Sequence, residues 1–286
     1  MEQYTIGLYE KSMPTSLTWE EKLVEAKKAG FDFIEISIDE TDEKLKRLDM
    51  SDEHCLELVN LMAKVGIPIR TMCLSGHRKY PLGSHDKEIR KKGMEIMKKA
   101  IQLSEKLGIR IIQLAGYDVY YEEGDEETQA WFEKNLKEAV AMASSAGILM
   151  GFETMETDFM NTVKKAMYYV EKINSPYLGV YPDLGNITNA TKQLKEDAVD
   201  DIQCGAGHLV AMHLKETKPG IFREVPFGTG HVDFVSGIKT AWNAGVRKFV
   251  TEFWYVGSPT WKDDLCSANH MMREILDQQY LCKERL

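Results

Sequence analysis

The sequence predicts an α/β protein built as one closed (β/α)8 barrel. Three observations carry that expectation. Eight short apolar, β-rich runs alternate with longer amphipathic segments along the chain. Five of those amphipathic segments stop at a glycine just before the next apolar run. No Pro/Gly/Ser-rich linker or shift in composition divides the 286 residues, so residues 1–286 read as one domain. A single barrel of this kind takes roughly 250 residues or more.

The strands are expected at 5–10, 33–38, 69–75, 110–115, 149–154, 179–184, 210–215 and 249–254. Strands of a parallel sheet are covered on both faces and therefore read as continuous apolar runs, as several of these do. Helices are expected at 19–29, 52–65, 87–107, 126–146, 162–173, 191–203, 234–244 and 263–281. The glycines that follow five of them are Gly30, Gly66, Gly108, Gly147 and Gly245. A residue just past a helix often turns left-handed, and glycine has no Cβ to oppose that. Asp233 precedes Phe234 as a helix N-cap. Strand–helix alternation implies parallel strands joined by crossover helices. An open, doubly wound sheet is the alternative, but it usually carries a Gly-rich turn after its first strand. Here the first strand runs into GLYEKSMPTS, which lacks one.

Composition narrows the function. Thirty-six basic against forty-five acidic residues give a net charge of −9, which disfavours nucleic acid as a partner. No apolar run approaches the ~20 residues of a membrane span, and MEQYTIGLYEK lacks the basic-then-apolar pattern of a signal peptide. Five cysteines with no C-x-x-C spacing read as reduced thiols in the cytoplasm.

Barrel active sites gather at the C-terminal ends of the strands. The fifth to eighth strands end in GFETMETD, GVYPDLGN, VAMHLKETKPG and KFVTEFWY. Each supplies a metal-ligand type: Glu153, Asp183, His213 and Glu252. Taken singly, an acid at a strand end is often only a helix cap, and a histidine in an apolar strand is often a hydrogen-bonded core residue. Four such residues at one level of four successive strands favour one shared divalent cation. Three carboxylates alone would repel one another and raise each other's pKa. Oxygen donors suit Mn²⁺ or Mg²⁺, and the imidazole also admits Zn²⁺ and Co²⁺.

Ser75, His77 and Arg78 follow the third strand in CLSGHRKYPLGS, a loop equipped to hold a phosphate or simply a solvated one. Lys215 shares the parity of His213 and is a second candidate for that grip. VPFGTGHVDF is a tight turn beside the substrate or only a turn before a helix; Met94, Met97 and Ile101 are core; Trp254 and Tyr255 wall the pocket or pack the rim.

Several stretches together resemble one family: GLYEK, AGFDFIEISIDETDEKLKRLD, CLSGHRKYPLGS, IQLAGYDVYY, TDFMN, VYPDLGN, HLKETKPGIFREVPFGTGHVDF and TEFW. The chain resembles the L-ribulose-5-phosphate 3-epimerases, also called L-xylulose-5-phosphate 3-epimerases, of the xylose-isomerase-like TIM barrel superfamily. The resemblance implies one divalent metal, Mn²⁺ or Zn²⁺ before Mg²⁺ or Co²⁺, on Glu153, Asp183, His213 and Glu252. It implies that Glu153 and Glu252 also act as the acid/base pair: C3 deprotonation, an enediolate, and reprotonation on the opposite face. Asn186 stands where relatives often carry a substrate-contacting histidine, and Glu156 is a candidate for a further family glutamate. The implied partner is a small ketopentose 5-phosphate, in ascorbate or L-xylulose breakdown, with a homodimer common among relatives. Rival readings are a sugar isomerase or inosose dehydratase on the same barrel, and a non-catalytic sugar-phosphate binder. An abasic-site endonuclease would want more histidine than the seven here and a basic face.

Overall fold

The computed structural model describes residues 4–283. Eight parallel strands form the sheet: β1 (Thr5–Tyr9), β2 (Phe33–Ile38), β3 (Ile69–Leu74), β4 (Ile111–Ala115), β5 (Leu149–Glu153), β6 (Leu178–Val180), β7 (Met212–Leu214) and β8 (Lys248–Thr251). Their order is β6-β5-β4-β3-β2-β1-β8-β7. The two ends of that series meet through isolated parallel bridges, Val180 to Leu209 and Asp183 to His213. The amide of Val210 donates to Val180 O at 2.9 Å, and that of His213 donates to Pro182 O at 2.9 Å. The eight-stranded ring expected from the sequence is therefore present, with its seam between β6 and β7.

Among the described residues ten helices surround it: α1 (Trp19–Lys28), α2 (Asp42–Leu45), α3 (Asp52–Val65), α4 (Lys87–Leu107), α5 (Glu126–Ala146), α6 (Val163–Ile173), α7 (Leu184–Leu194), α8 (Ala198–Gln203), α9 (Phe234–Asn243) and α10 (Trp261–Lys283). All five predicted stop glycines have positive φ, from 69° at Gly147 to 100° at Gly245. Asp233 caps α9 by accepting from the Ser236 amide at 3.0 Å. A reciprocal cap between Thr18 and Glu21 starts α1.

Two apolar layers result from the period-2 alternation of strand side chains. Outward residues such as Ile6, Leu8, Ile34 and Ile36 pack against helix residues such as Leu23, Ile101 and Leu136 in the main core. Inward residues Tyr9, Phe33, Cys73, Ile111, Tyr181, Ala211 and Val250 form a separate cluster inside the barrel. Gly151 and Gly179 are register partners on β5 and β6. A Cβ on either would lie 2.6 Å from a Val210 methyl carbon, so glycine at both lets the segment leading into β7 close in.

Several boundaries differ from expectation, β7 beginning at Met212 and β8 ending at Thr251 rather than at residues 210 and 254. The sixth strand ends at Val180, not residue 184, and one predicted helix, 191–203, is two helices, α7 and α8. The cause is Asp183, whose carboxylate accepts from the Asn186 amide at 2.6 Å and starts α7 directly after the strand. Lys195, at φ 59°, ends α7, and Asp197 caps α8. Short helical turns at Glu10–Ser12, Lys46–Asp49 and Ser75–Arg78 also fill stretches expected as strand ends or loops. Among the described residues no helix is long and apolar enough to cross a membrane.

Candidate metal centre

Strand register builds the site. Counting in twos from the inward residues Tyr181, Ala211 and Val250 gives Asp183, then His213 and Lys215, then Glu252. On β5 the same count from Gly151 gives Glu153, its last residue. All four expected ligands are buried, each with a donor atom within 4.8 Å of the others. His213 Nδ1 is the common neighbour, at 3.4 Å from Glu252 Oε2, 3.7 Å from Glu153 Oε1 and 3.9 Å from Asp183 Oδ2.

These residues fit a divalent cation. Asp183 Oδ2 and Glu252 Oε2 are buried without a hydrogen-bond partner. Both face the Lys215 ammonium, at 3.1 and 3.2 Å, and a divalent cation among the three carboxylates would use both oxygens. Three carboxylate donors and one imidazole suit a borderline-hard metal.

Burial and mutual charge set the electrostatics of the cluster. Burial pushes the Asp183 carboxyl up to about 8, against the pull of Lys215. Burial and then the charge of Glu252 raise Glu153. Glu252 moves the other way: burial opposes its charge, but Lys215 and His213 hold it well below the carboxylate range. Burial disfavours the charged imidazole of His213, yet Glu35 and then Glu252 raise it well above its ordinary value. Lys215 is itself buried, with Nζ 3.1 Å from Asp183 Oδ2 and 3.2 Å from Glu252 Oε2.

The cleft above these residues is lined by Ser75, Arg78, Asn186 and Lys215 among the residues expected from sequence. Asn186 Nδ2 donates to Thr154 O at 2.7 Å, while its Oδ1 is buried and unpaired. Arg78 lies over the Tyr120 ring at 4.9 Å, with Nε unpaired. His77 is not brought to the cleft. Its Nε2 lies 3.1 Å from Gly93 O in α4, and burial lowers its pKa to about 4. The helical turn Ser75–Arg78 points adjacent residues in different directions, which their order in the sequence does not reveal. Trp254 walls the cleft, whereas Tyr255 lines an apolar groove on its far side. Glu156 lines the cleft too.

Lys11, Arg223, Glu35 and Gln113 were missed. Lys11 and Arg223 line the cleft. Arg223 rides on the long loop between β7 and α9, where no periodicity marks a residue as inward. Buried Glu216 holds that loop, accepting from the amides of Gly228 at 3.0 Å and Val232 at 3.2 Å. Gly230 lies so close that a Cβ there would be 2.2 Å from Glu216 Oε1. VPFGTGHVDF is thus an anchored turn supporting the cleft wall. Gln113 Nε2 lies 3.2 Å from His213 Nδ1. Glu35 shares the inward parity of Phe33, and an acid inside the apolar run FIEISI was the signal available.

Comparison with protein families matches residues 23–265 to the xylose isomerase-like TIM barrel. The chain is 47% identical over 253 residues to the L-ribulose-5-phosphate 3-epimerase of Escherichia coli (strain SMS-3-5 / SECEC), covering 88% of each chain. The same identity and coverage hold for the L-ribulose-5-phosphate 3-epimerase of Shigella boydii serotype 18 (strain CDC 3083-94 / BS512). Among solved structures, a D-tagatose 3-epimerase-like protein superposes with TM-score 0.79 at 17% identity, covering 96% of this chain and 98% of that one. An L-ribulose 3-epimerase superposes with TM-score 0.78 at 18% identity, covering 98% and 97%. At those identities the superpositions establish the fold. The sequence relatives go further: this chain belongs to the xylose isomerase-like TIM barrel family and, within it, to the family of L-ribulose-5-phosphate 3-epimerases.

Proposed function

We propose that this chain is a metal-dependent epimerase interconverting L-ribulose 5-phosphate and L-xylulose 5-phosphate by inversion at C3. The observation that carries the reading is the 47% identity over 88% of the chain to L-ribulose-5-phosphate 3-epimerases. The buried group Glu153, Asp183, His213 and Glu252 supports it.

These four residues would hold one divalent ion, Mn²⁺ or Zn²⁺ first, with Mg²⁺ and Co²⁺ also compatible. When bound, the ion supplies Lewis-acid stabilisation of the negative charge that develops on the substrate oxygens. Glu153 and Glu252 enter from β5 and β8, the outer members of the four-strand arc. Inversion needs one group to remove the C3 proton and another to return it on the other face, and these two glutamates take those roles. The Lys215 ammonium, set between Asp183 and Glu252, stabilises the enediolate oxygens. Asn186 presents its free Oδ1 as an acceptor for a sugar hydroxyl. The phosphate lies toward the mouth, held by Arg78, Arg223, Lys11 and Ser75. Guanidinium groups suit a phosphate because their donors form a planar fork.

The reading includes one domain over 1–286, a cytoplasmic location suggested by the free cysteines Cys55, Cys73, Cys204 and Cys266, and a homodimer, which sedimentation velocity tests. The deciding experiment is proton NMR of L-xylulose 5-phosphate in D₂O with purified protein and a panel of divalent metals. Loss of the C3 proton signal, appearance of L-ribulose 5-phosphate and arrest by EDTA are expected. Exchange at C1 instead, or turnover indifferent to EDTA after dialysis, overturns the proposal.

A further inference from the structure

Below the four ligands lies a fifth carboxylate that binds none of the cleft. Glu35 is fully buried, and its two oxygens have different partners. Oε1 lies 2.6 Å from His213 Nε2, and Oε2 accepts from the Tyr181 hydroxyl at 2.9 Å. Among the described residues, Glu35 has no Lys or Arg within ion-pair distance; its one basic neighbour is His213. Nor does this contact join adjacent strands. β2 pairs with β1 and β3, whereas β7 pairs with β8 across the barrel. Tyr181 adds a third origin, from just beyond β6, and its ring stands edge-on to the imidazole with centroids 4.9 Å apart.

The geometry points to Glu35 and Tyr181 as positioning residues that hold the His213 ring with its hydrogen on Nε2, presenting Nδ1 to Glu153, Asp183, Glu252 and the ion they share. This rests on the metal reading above. A metal ligand must offer a lone pair. A nitrogen facing a carboxylate oxygen at 2.6 Å is a donor, so the lone pair is on Nδ1, which faces the Gln113 amide nitrogen at 3.2 Å and lies 3.4–3.9 Å from the three carboxylates; an ion there takes the place of the Gln113 contact. A carboxylate on the far nitrogen also makes the imidazole a more basic ligand. Tyr181 acts one step back. Its hydroxyl pairs the second Glu35 oxygen, which stops the carboxylate rotating off the ring and spares a buried unpaired acceptor. Glu35 thus touches neither substrate nor metal, and its effect passes through His213.

Mn²⁺ affinity is measured by calorimetric titration on native protein, Glu35→Gln, Glu35→Met and Tyr181→Phe, together with urea unfolding of each metal-free protein. Outer partners of metal-ligating histidines typically carry about 10–100-fold of the affinity. That loss is expected in both Glu35 variants, with a smaller one, about threefold to tenfold, in Tyr181→Phe. Glu35→Met has no acceptor and a similar volume, and it keeps the test alive should Glu35→Gln fail to fold. The second readout is nitrogen NMR of ¹⁵N-histidine-labelled, Zn²⁺-loaded native protein, where His213 should keep its hydrogen on Nε2 and show a metal-shifted Nδ1. Native protein that binds no divalent ion defeats the metal reading itself. Native protein that binds while the Glu35 variants bind within twofold of it, or a hydrogen found on Nδ1 of the loaded protein, overturns this inference alone.

Discussion

The Lys215 ammonium stands 3.2 Å from the buried Glu252 Oε2 and 3.1 Å from Asp183 Oδ2. In the proposed mechanism a cation held this deep serves the reacting carbons of the sugar rather than the phosphate. Lys215→Met should lower kcat/KM about 10–100-fold, the worth of a charge-assisted hydrogen bond. The loss should be similar for L-xylulose 5-phosphate and for unphosphorylated L-xylulose. Initial-rate kinetics with both sugars check it, and a loss confined to the phosphorylated one returns Lys215 to the phosphate.

Arg78 and Arg223 should behave differently. Arg78→Ala is expected to raise KM for the phosphorylated ketose about tenfold or more while sparing the free sugar. Arg223 is half-exposed and lies 3.6 Å from Glu156, so solvent screens it and a smaller effect, about threefold, is expected. The same two-substrate comparison measures both.

Glu153→Gln and Glu252→Gln keep the side-chain shape but remove the base. Each should slow C3 exchange by about 10²–10⁴-fold at saturating Mn²⁺. The saturation matters, because both residues are also proposed as ligands. Deuterium incorporation at C3, followed by NMR, reads the chemistry apart from the metal loss.

Glu10 should contribute to stability against acid. It is buried at the end of β1 among three cations: Arg47 at 2.6 Å, Lys22 at 3.4 Å and Lys44. Burial opposes its charge, but Arg47, Lys44 and Lys22 lower its pKa from 4.5 to about 2. A carboxyl depressed by folding adds stability above its unfolded value, and that stability is lost as pH falls through the folded value. The contribution, about 3 kcal/mol by linkage, should therefore fade between pH 4.5 and 2. Urea midpoints across that window should fall for native protein, while Glu10→Gln, already weaker at pH 7, should fall less.

What was legible follows from which forces are local. Strand parity and glycine stops are local, so all eight strands and the four converging side chains could be placed from sequence. Asp183 satisfied both of its competing readings: it caps α7 and it joins the cluster, and the capping shortened β6. Glu35 was hidden because its partner lies 178 residues away, across a ring whose diameter no local pattern encodes. Arg223 was hidden because loop direction depends on the Glu216 anchor. His77 and Arg78 are neighbours in the sequence, yet one packs into α4 and the other faces the cleft.

The seam of the ring carries a further consequence. Between β6 and β7 the backbone offers only isolated bridges, one of them joining Asp183 to His213 themselves. An ion held by both side chains, as proposed, would lace together two stretches that the main chain joins by three hydrogen bonds. On the proposed metal reading, filling the centre adds a side-chain tie across a seam the backbone already closes, and amide hydrogen exchange along residues 178–183 and 208–213 should slow as the ion enters.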